Sequence, residues 1–454
     1  DPQGLDRAWF FGDAARCADA DRAHRIWSVS FAPTGARFRP GWSRDAELWG
    51  VDVTDRYARR AQDGADGAVV ALLALLARWF AAGPDERAAL AFDRNLDAEL
   101  NTPAGDARLR ALVWQALVAH ERPLLQPDHT ARVVRAGDKE SPFTVEQVGE
   151  PAPGQALVIA MHGGGGVPKR TNDAQWRHMQ VYYHDHPEAG SYLYCALRAP
   201  TDEWNGFYTD YVYPLVEKLI RQFVVCDGVD PDKVVAIGYS HGGYGAFALG
   251  PKLPHRFAAV HASAAAPTDG ESSPVGLHSL RFSFMVGGRD EAYGRRERCE
   301  RFAAELAALQ QEHDGRYPTT FTLVEGNGHT GLPDRDLLRE LVPATRVALP
   351  ARLSWLLTDG TVADHYWLHV ASPAKGQRLD AACRDGALTV TTANGPTAEA
   401  WLDARLLPMD QELVVTVDGA ARRVTPAPSL ATLCRTMLER GDPRLAASWV
   451  LPLD

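Results

Sequence analysis

Ser240, Asp290 and His329 each stand in a short loop carrying one or more glycines, directly behind an apolar run. Their types supply a nucleophile, an acid partner and a base. A free serine hydroxyl is a weak nucleophile at neutral pH. A histidine that takes its proton, and later hands it to a leaving group, activates it. A carboxylate on the far side of the imidazole fixes the tautomer and stabilises the imidazolium. The serine lies in Gly238-Tyr239-Ser240-His241-Gly242, a G-x-S-x-G turn between the apolar run Val234–Ile237 and a helix pattern rich in Ala and Gly. Strand, sharp turn and helix follow one another. So tight a turn strains the serine backbone and tolerates no bulk beside it, which Gly238 and Gly242 satisfy; Gly243 lets the helix pack on the strand.

A second glycine stretch, His162-Gly163-Gly164-Gly165-Gly166, ends the apolar run Gln155–Met161. Glycines let a backbone approach a substrate carbonyl closely and present N–H groups to a developing oxyanion. The expected donors are the N–H of His241 and one or two from Gly163–Gly165, with Gly163 and Gly164 foremost. A phosphate loop is set aside because no Gly-Lys-Ser/Thr follows.

Each assignment has a competitor. For the acid, Glu291 and Glu325 lie close in sequence, but Asp290 follows its strand through the Gly287-Gly288 turn. For the base, His261 reads as a core histidine within a strand, and His255, His278 and His313 stand in surface-like contexts. His329, between Gly328 and Thr330-Gly331, has the required loop freedom. His241 is expected to use its backbone, with a ring role in substrate binding as the alternative. His178, His184 and His186 contain an H-D-H fragment without a partner motif; they read as loop residues, and no metal is expected. Trp204 and Asn205 follow the strand Tyr192–Leu197 at the face where open α/β sheets bind ligands, and are candidate substrate contacts. Arg198 and Arg289 could meet a substrate carboxylate, although a structural ion pair is the preferred reading.

These residues need a scaffold. Strand signals at Gln155–Met161, Tyr192–Leu197, Val234–Ile237, Phe257–Ala262, Leu280–Val286 and Thr319–Val324 alternate with helix patterns, the mark of a doubly wound, mostly parallel α/β sheet. A hairpin at Ala131–Arg135 and Phe143–Val148 precedes them. Residues 1–128 read as a helical N-terminal domain, with helices at Ala65–Ala82 and Ala104–His120 and a loop at Thr34–Trp49. Residues 129–345 form the α/β core. Residues 346–454 read as a β-rich, sandwich-like module with a helix at Pro428–Arg440 and a strand-like tail.

The chain has 454 residues, 45% of them hydrophobic, enough for a large core and two or three domains. A net charge of −10 without a basic stripe excludes nucleic acid as an expected partner. Gly67–Ala82, interrupted by Arg78, is short for a membrane span and reads as a core helix. Six scattered cysteines without CxxC read as buried thiols, with one or two disulfides open to an exported protein. A chain starting at Asp1 reads as a trimmed or leader-processed form, and a secreted or periplasmic location is expected slightly ahead of the cytoplasm.

From about Ala156 to Pro343 the chain resembles bacterial α/β-hydrolases related to prolyl-oligopeptidase-like and polyhydroxybutyrate-depolymerase-like esterases. The resemblance rests on His162–Gly166, Asn172–Trp176, Arg198–Asn205, Gly238–Gly243, Gly287–Tyr293 and Gly326–His329. His241 departs from it, standing where many relatives carry Ala or Met. The resemblance implies the α/β-hydrolase fold, serine hydrolase activity without a cofactor, and a Ser240–His329–Asp290 triad. The expected substrate is a small or polymeric carboxylic ester. A peptidase or amidase of prolyl-oligopeptidase type, or a non-catalytic binding protein on the same scaffold, are the alternatives.

Overall fold

The computed structural model describes residues 65–313 and 315–453, in two compact units. The loop read at Thr34–Trp49, and Cys17, lie outside the described residues. Of the first unit, helix α1 (Ala65–Ala81) carries a stripe of buried Leu72, Leu76, Trp79 and Phe80 at helical spacing. Helix α2 (Pro84–Ala89) follows, and Arg87 lies 4.8 Å over the Trp79 ring. No helix among the described residues is long and apolar enough to cross a membrane.

The second unit comprises Ala91–Trp114 and Glu121 onward. It includes helix α3 (Arg94–Glu99) and most of helix α4 (Pro103–Thr130), whose Gln115–His120 belong to the first unit. The Thr102 hydroxyl accepts from the Gly105 N–H at 3.1 Å and caps α4. The sequence pattern ends this helix at His120, but it runs ten residues further, through Pro123 and Pro127. Tertiary contacts hold the extension: Arg122 donates to the Val225 carbonyl at 2.8 Å, and the His129 ring stands edge-on to Phe223 at 4.9 Å.

Eight strands then form one sheet: β1 (Val133–Ala136), β2 (Lys139–Val148), β3 (Ala156–Met161), β4 (Tyr192–Leu197), β5 (Val234–Tyr239), β6 (Ala259–Ser263), β7 (Arg281–Gly287) and β8 (Thr319–Val324). Their spatial order is β1-β2-β4-β3-β5-β6-β7-β8, with β1 and β2 antiparallel and the rest parallel. This is the α/β-hydrolase fold. The crossover helices are α5 (Lys169–Met179), α6 (Val212–Cys226), α7 (His241–Lys252) and α8 (Arg295–Glu312). β3 and β4 are buried at every position, as apolar runs covered on both faces must be. One face packs Leu157, Ile159 and Ala236 with Leu219 and Phe223 of α6 and Phe247 of α7. The other packs Val158, Val235 and Ile237 with Met179 of α5 and with Leu338 and Leu341 of the short helix α9 (Leu338–Leu341).

The C-terminal segment forms two further sheets. β9 (Arg352–Leu356), β12 (Arg378–Arg384), β13 (Ala387–Ala393), β15 (Leu413–Val417) and β16 (Ala420–Val424) make one of five strands; β10 (Asp364–His365), β11 (Leu368–Val370), β14 (Ala398–Leu402) and β17 (Trp449–Pro452) make one of four. Leu379, Leu388 and Val415 from the first share a core with Leu368, Ala400 and Leu451 from the second. Tyr366 turns the chain between β10 and β11 at φ 55°. Helix α10 (Leu430–Arg440) is capped by Ser429, whose hydroxyl accepts from the Thr432 N–H. Arg346 ties this segment to the sheet domain, bonding Asp442 at 2.9 Å and Asp232 at 2.7 Å. The five described cysteines are free thiols. His255 and His278, read as surface residues, are buried; the loops after α7 and before β7 fold inward.

Candidate active site

Ser240 sits between β5 and α7 with φ 54° and ψ −112°, a left-handed backbone that a side chain rarely adopts. Three bonds hold it there. The Ser240 N–H donates to the Ser263 carbonyl at 2.9 Å, the Gly242 N–H to the His162 carbonyl at 2.9 Å, and the Tyr244 N–H to the Ser240 carbonyl at 3.0 Å. The flanking glycines are obligatory. A Cβ on Gly238 would meet the Gly242 carbonyl oxygen at 2.1 Å, and one on Gly242 would meet the Met161 carbonyl oxygen at 2.1 Å.

The loops after β7 and β8 bring the other two residues to the serine. A Cβ on Gly287 would lie 2.1 Å from the Gly328 carbonyl oxygen, so the two loops approach backbone to backbone. The Arg289 N–H donates to the Asn327 carbonyl at 2.8 Å. In consequence Ser240 Oγ lies 3.0 Å from His329 Nε2, and His329 Nδ1 lies 2.7 Å from Asp290 Oδ2. Asp290 is buried and His329 half-exposed. Glu291 and Glu325 take no part in this chain of bonds.

Two residues not singled out from the sequence complete it. Arg295 Nη1 donates to the second Asp290 oxygen at 2.8 Å, and its Nε donates to the Tyr244 hydroxyl at 3.1 Å. The Tyr239 hydroxyl donates to the His329 carbonyl at 2.6 Å, tying the histidine loop to the residue before the nucleophile. Arg295 lies only five residues after Asp290, but its bond to Tyr244 and that of Tyr239 to His329 join segments far apart in sequence.

The glycine loop arches over the same point. A Cβ on Gly163 would lie 3.6 Å from Ser240 Cβ. The N–H groups of Gly163, Gly164 and His241 have no partner among the described residues, and that of His241 is the first of helix α7. Gly165 differs. Its N–H donates to Asn172 Oδ1 at 2.8 Å, so it is spent on the loop and withdrawn from the donor set read from sequence. Asn172, buried in α5, also donates through Nδ2 to the Val167 carbonyl at 3.0 Å and to Asp202 at 2.9 Å. The motif Asn172–Trp176 was visible in sequence, but its role as the loop's anchor was not.

Arg198 is buried, bonding Asp173 at 3.1 Å, the Ala199 carbonyl at 2.8 Å and the Asp202 carboxylate. It braces the loop and offers no exposed cation to a substrate. Trp204 is 40% exposed, and its Cβ would be 3.7 Å from a Cβ on Gly166. Asn205 is half-buried in the same turn, and its carbonyl accepts from the Tyr208 N–H at 2.9 Å. Arg289 is exposed.

The His241 ring is buried beneath the loop, where a Cβ on Gly165 would meet it at 2.5 Å, and packs on Phe207 at 4.9 Å. Burial pushes it down to about 3, so it is neutral. His162 is likewise held at about 4 by burial. His261, between Ser283 Oγ at 2.7 Å and Ser263 Oγ at 2.9 Å, is the core histidine read from sequence, and burial holds it at about 3. His184 and His186 share Asp336, at 2.9 and 3.1 Å, and His178 stacks edge-on to Tyr182. No cluster of ligands able to hold a metal occurs among the described residues.

An imidazole held by a buried carboxylate and bonded to a strained serine hydroxyl can act as a general base toward that hydroxyl. Backbone N–H groups left without a partner can stabilise negative charge on an oxygen bound beside them.

No family model and no curated protein matches the chain. Among solved structures, a thermostable esterase is similar at 20% identity with a TM-score of 0.33, over 43% of this chain and 54% of that one, so the match spans about half of its length. The poly(3-hydroxybutyrate) depolymerase from Bordetella parapertussis is similar at 18% identity with a TM-score of 0.34, over 43% of this chain and 80% of that one. A phospholipase/carboxylesterase from Dyadobacter fermentans is similar at 13% identity with a TM-score of 0.33, over 46% and 98% of the two chains.

Proposed function

We propose that this protein is a serine hydrolase that cleaves carboxylic esters through an acyl-enzyme. The observation that carries the reading is the bonded chain from Ser240 Oγ through His329 to Asp290, at 3.0 and 2.7 Å, beneath a loop with unpaired N–H groups. In the first half-reaction His329 Nε2 takes the Ser240 proton as Oγ attacks the ester carbonyl. Asp290 balances the imidazolium, and the N–H groups of His241, Gly163 and Gly164 hold the oxyanion. The tetrahedral intermediate collapses, and His329 hands the proton to the departing alkoxide. In the second half-reaction a water, deprotonated by His329, attacks the acyl-enzyme, and His329 returns the proton to Ser240 Oγ as the acid is released. The catalytic part in this proposal is residues 129–345, with 1–128 and 346–454 as accessory parts.

The test is a side-by-side screen of p-nitrophenyl esters of rising acyl length and aminoacyl p-nitroanilides, with wild type and Ser240→Ala. Ester turnover that falls at least about 10⁴-fold in the variant is expected. Anilide turnover at comparable efficiency would move the reading to a peptidase. Failure of wild type to form a covalent adduct with a fluorophosphonate would reduce the protein to a binding scaffold.

A further inference from the structure

Six large apolar side chains are strongly exposed among the described residues, and two of them, Trp204 and Tyr293, meet beside the candidate active site. Their ring centroids are 5.2 Å apart at 40°. Trp204 rises from the loop after β4 and borders Gly166 of the glycine loop. Tyr293 lies three residues after Asp290, in the loop after β7. Behind them Tyr244, on the first turn of α7, packs against Trp204 at 5.5 Å. Arg295, the partner of Asp290, lies 5.0 Å from the Tyr293 ring and fixes its inner face.

The placement of Tyr293 is unfavourable for folding alone. It holds φ 58° and ψ 18°, a left-handed conformation suited to glycine or asparagine, and it is 67% exposed, so its ring gains little from burial. Trp204, the other half of the pair, also keeps 40% of its surface in water. At 5.2 Å the two rings touch and leave no gap for a third, so they form a continuous wall along which a ligand can lie. Aromatic faces favour other flat apolar rings, by dispersion and by edge-to-face or offset stacking.

We infer that Trp204 and Tyr293 form a recognition wall for a planar apolar ring in the substrate, so that the preferred esters carry an aryl group on the acyl or the alcohol side. The inference rests on the ester-hydrolase reading for its chemistry, but the wall itself does not depend on turnover. Trp204 and Tyr293 are specificity residues in this proposal, outside the proton-transfer chain.

The experiment compares matched substrates: benzyl acetate against hexyl acetate for the alcohol side, and methyl phenylacetate against methyl hexanoate for the acyl side. The enzymes are wild type, Trp204→Leu and Tyr293→Gly. The first variant keeps apolar bulk without a flat face, and the second suits the left-handed backbone, so both are compatible with folding. Wild type is expected to favour the aryl member of at least one pair in kcat/KM. Each variant is expected to lose about three- to tenfold of that preference, mainly through KM. An aryl preference absent from wild type, or unchanged in both variants, overturns the proposal. In parallel, saturation-transfer NMR of benzyl acetate with Ser240→Ala reads ring contact without turnover. Contact that is lost on adding Tyr293→Gly supports the wall even if no ester is hydrolysed, in which case only the hydrolase reading falls. Contact that is absent, or equal with and without the tyrosine, overturns the wall even if esters are turned over.

Discussion

Asn172 uses one buried amide to close the glycine loop: its oxygen accepts from Gly165 and its nitrogen donates to Val167 and Asp202. Replacing it with Ala frees the loop and leaves the Gly165 N–H buried without a partner. Asn172→Ala is therefore expected to lower kcat by about 10²-fold, the order seen when an oxyanion donor is lost, with a small change in KM; steady-state kinetics on one p-nitrophenyl ester would check it. Tyr239 acts more mildly. Its bond to the His329 carbonyl is one of several that hold that loop, beside Asn327 Nδ2 on the Gly331 carbonyl at 2.7 Å. A neutral hydrogen bond contributes about 1 kcal/mol, so Tyr239→Phe is expected to lower kcat about fivefold at unchanged KM. A normal kcat would remove Tyr239 from the positioning of the base.

At the scale of elements, the turn from β5 to α7 and the loop after β3 are locked together. The His241 ring fills the space a side chain on Gly165 would need, 2.5 Å from a Cβ there. Gly165→Ala must displace the ring or lift the loop, and is expected to reduce kcat at least about tenfold. His241→Ala in the same chain returns the space while keeping the His241 N–H on the backbone. The double variant is expected to recover part of the loss, the remainder reflecting Ala at the φ of 75° held by Gly165. Equal losses in the single and double variants would show that the ring and the loop are not coupled. Local pattern alone is sufficient to read both elements, because a buried strand and a glycine turn are short-range signals. Their coupling lies outside that range: nothing in the residues around Gly165 announces that the ring of His241, about 75 positions on, packs beneath the same loop.

At the scale of the whole molecule, buried polar groups join the sheet domain to the C-terminal strands. Arg346 is buried with Asp232 and Asp442 as partners, and removing one member of such a group leaves the others uncompensated. Arg346→Met is expected to destabilise by about 3–5 kcal/mol, read as a lower midpoint in urea unfolding. Lys252 of α7, held by Asp359 at 2.5 Å and Glu271 at 3.0 Å, joins the same two parts. Acid acts through the histidines. His162 at about 4, and His241 and His261 at about 3, are depressed below the 6.5 of an exposed imidazole and stay neutral when folded. Between pH 6.5 and about 4 the unfolded chain binds protons that the folded one refuses. Stability therefore falls with falling pH through that window, by up to about 1.4 kcal/mol per pH unit for each histidine. Calorimetric Tm values from pH 7 to 4 should decline, and less steeply in His261→Phe; a flat profile in wild type would contradict the neutral burial.

The sequence by itself determined the strand–turn–helix at Ser240, the glycine loop behind β3, the order Ser240, Asp290, His329, and the alternation that folds into a mostly parallel sheet. Those features are legible because hydrophobic periodicity and glycine placement act over a few residues. Only the tertiary structure decided which polar groups are spent and which are free. It withdrew Gly165 from the donor set, turned Arg198 inward, buried His255 and His278, and carried α4 ten residues past its expected end. It also brought Arg295, Tyr239 and Asn172 to the site and set Trp204 against Tyr293. Some of these contacts span few residues, such as Gly165 with Asn172 and Asp290 with Arg295, and others join distant segments, such as Tyr239 with His329 and Trp204 with Tyr293; neither kind is periodic, so neither leaves a trace in the pattern of the residues themselves.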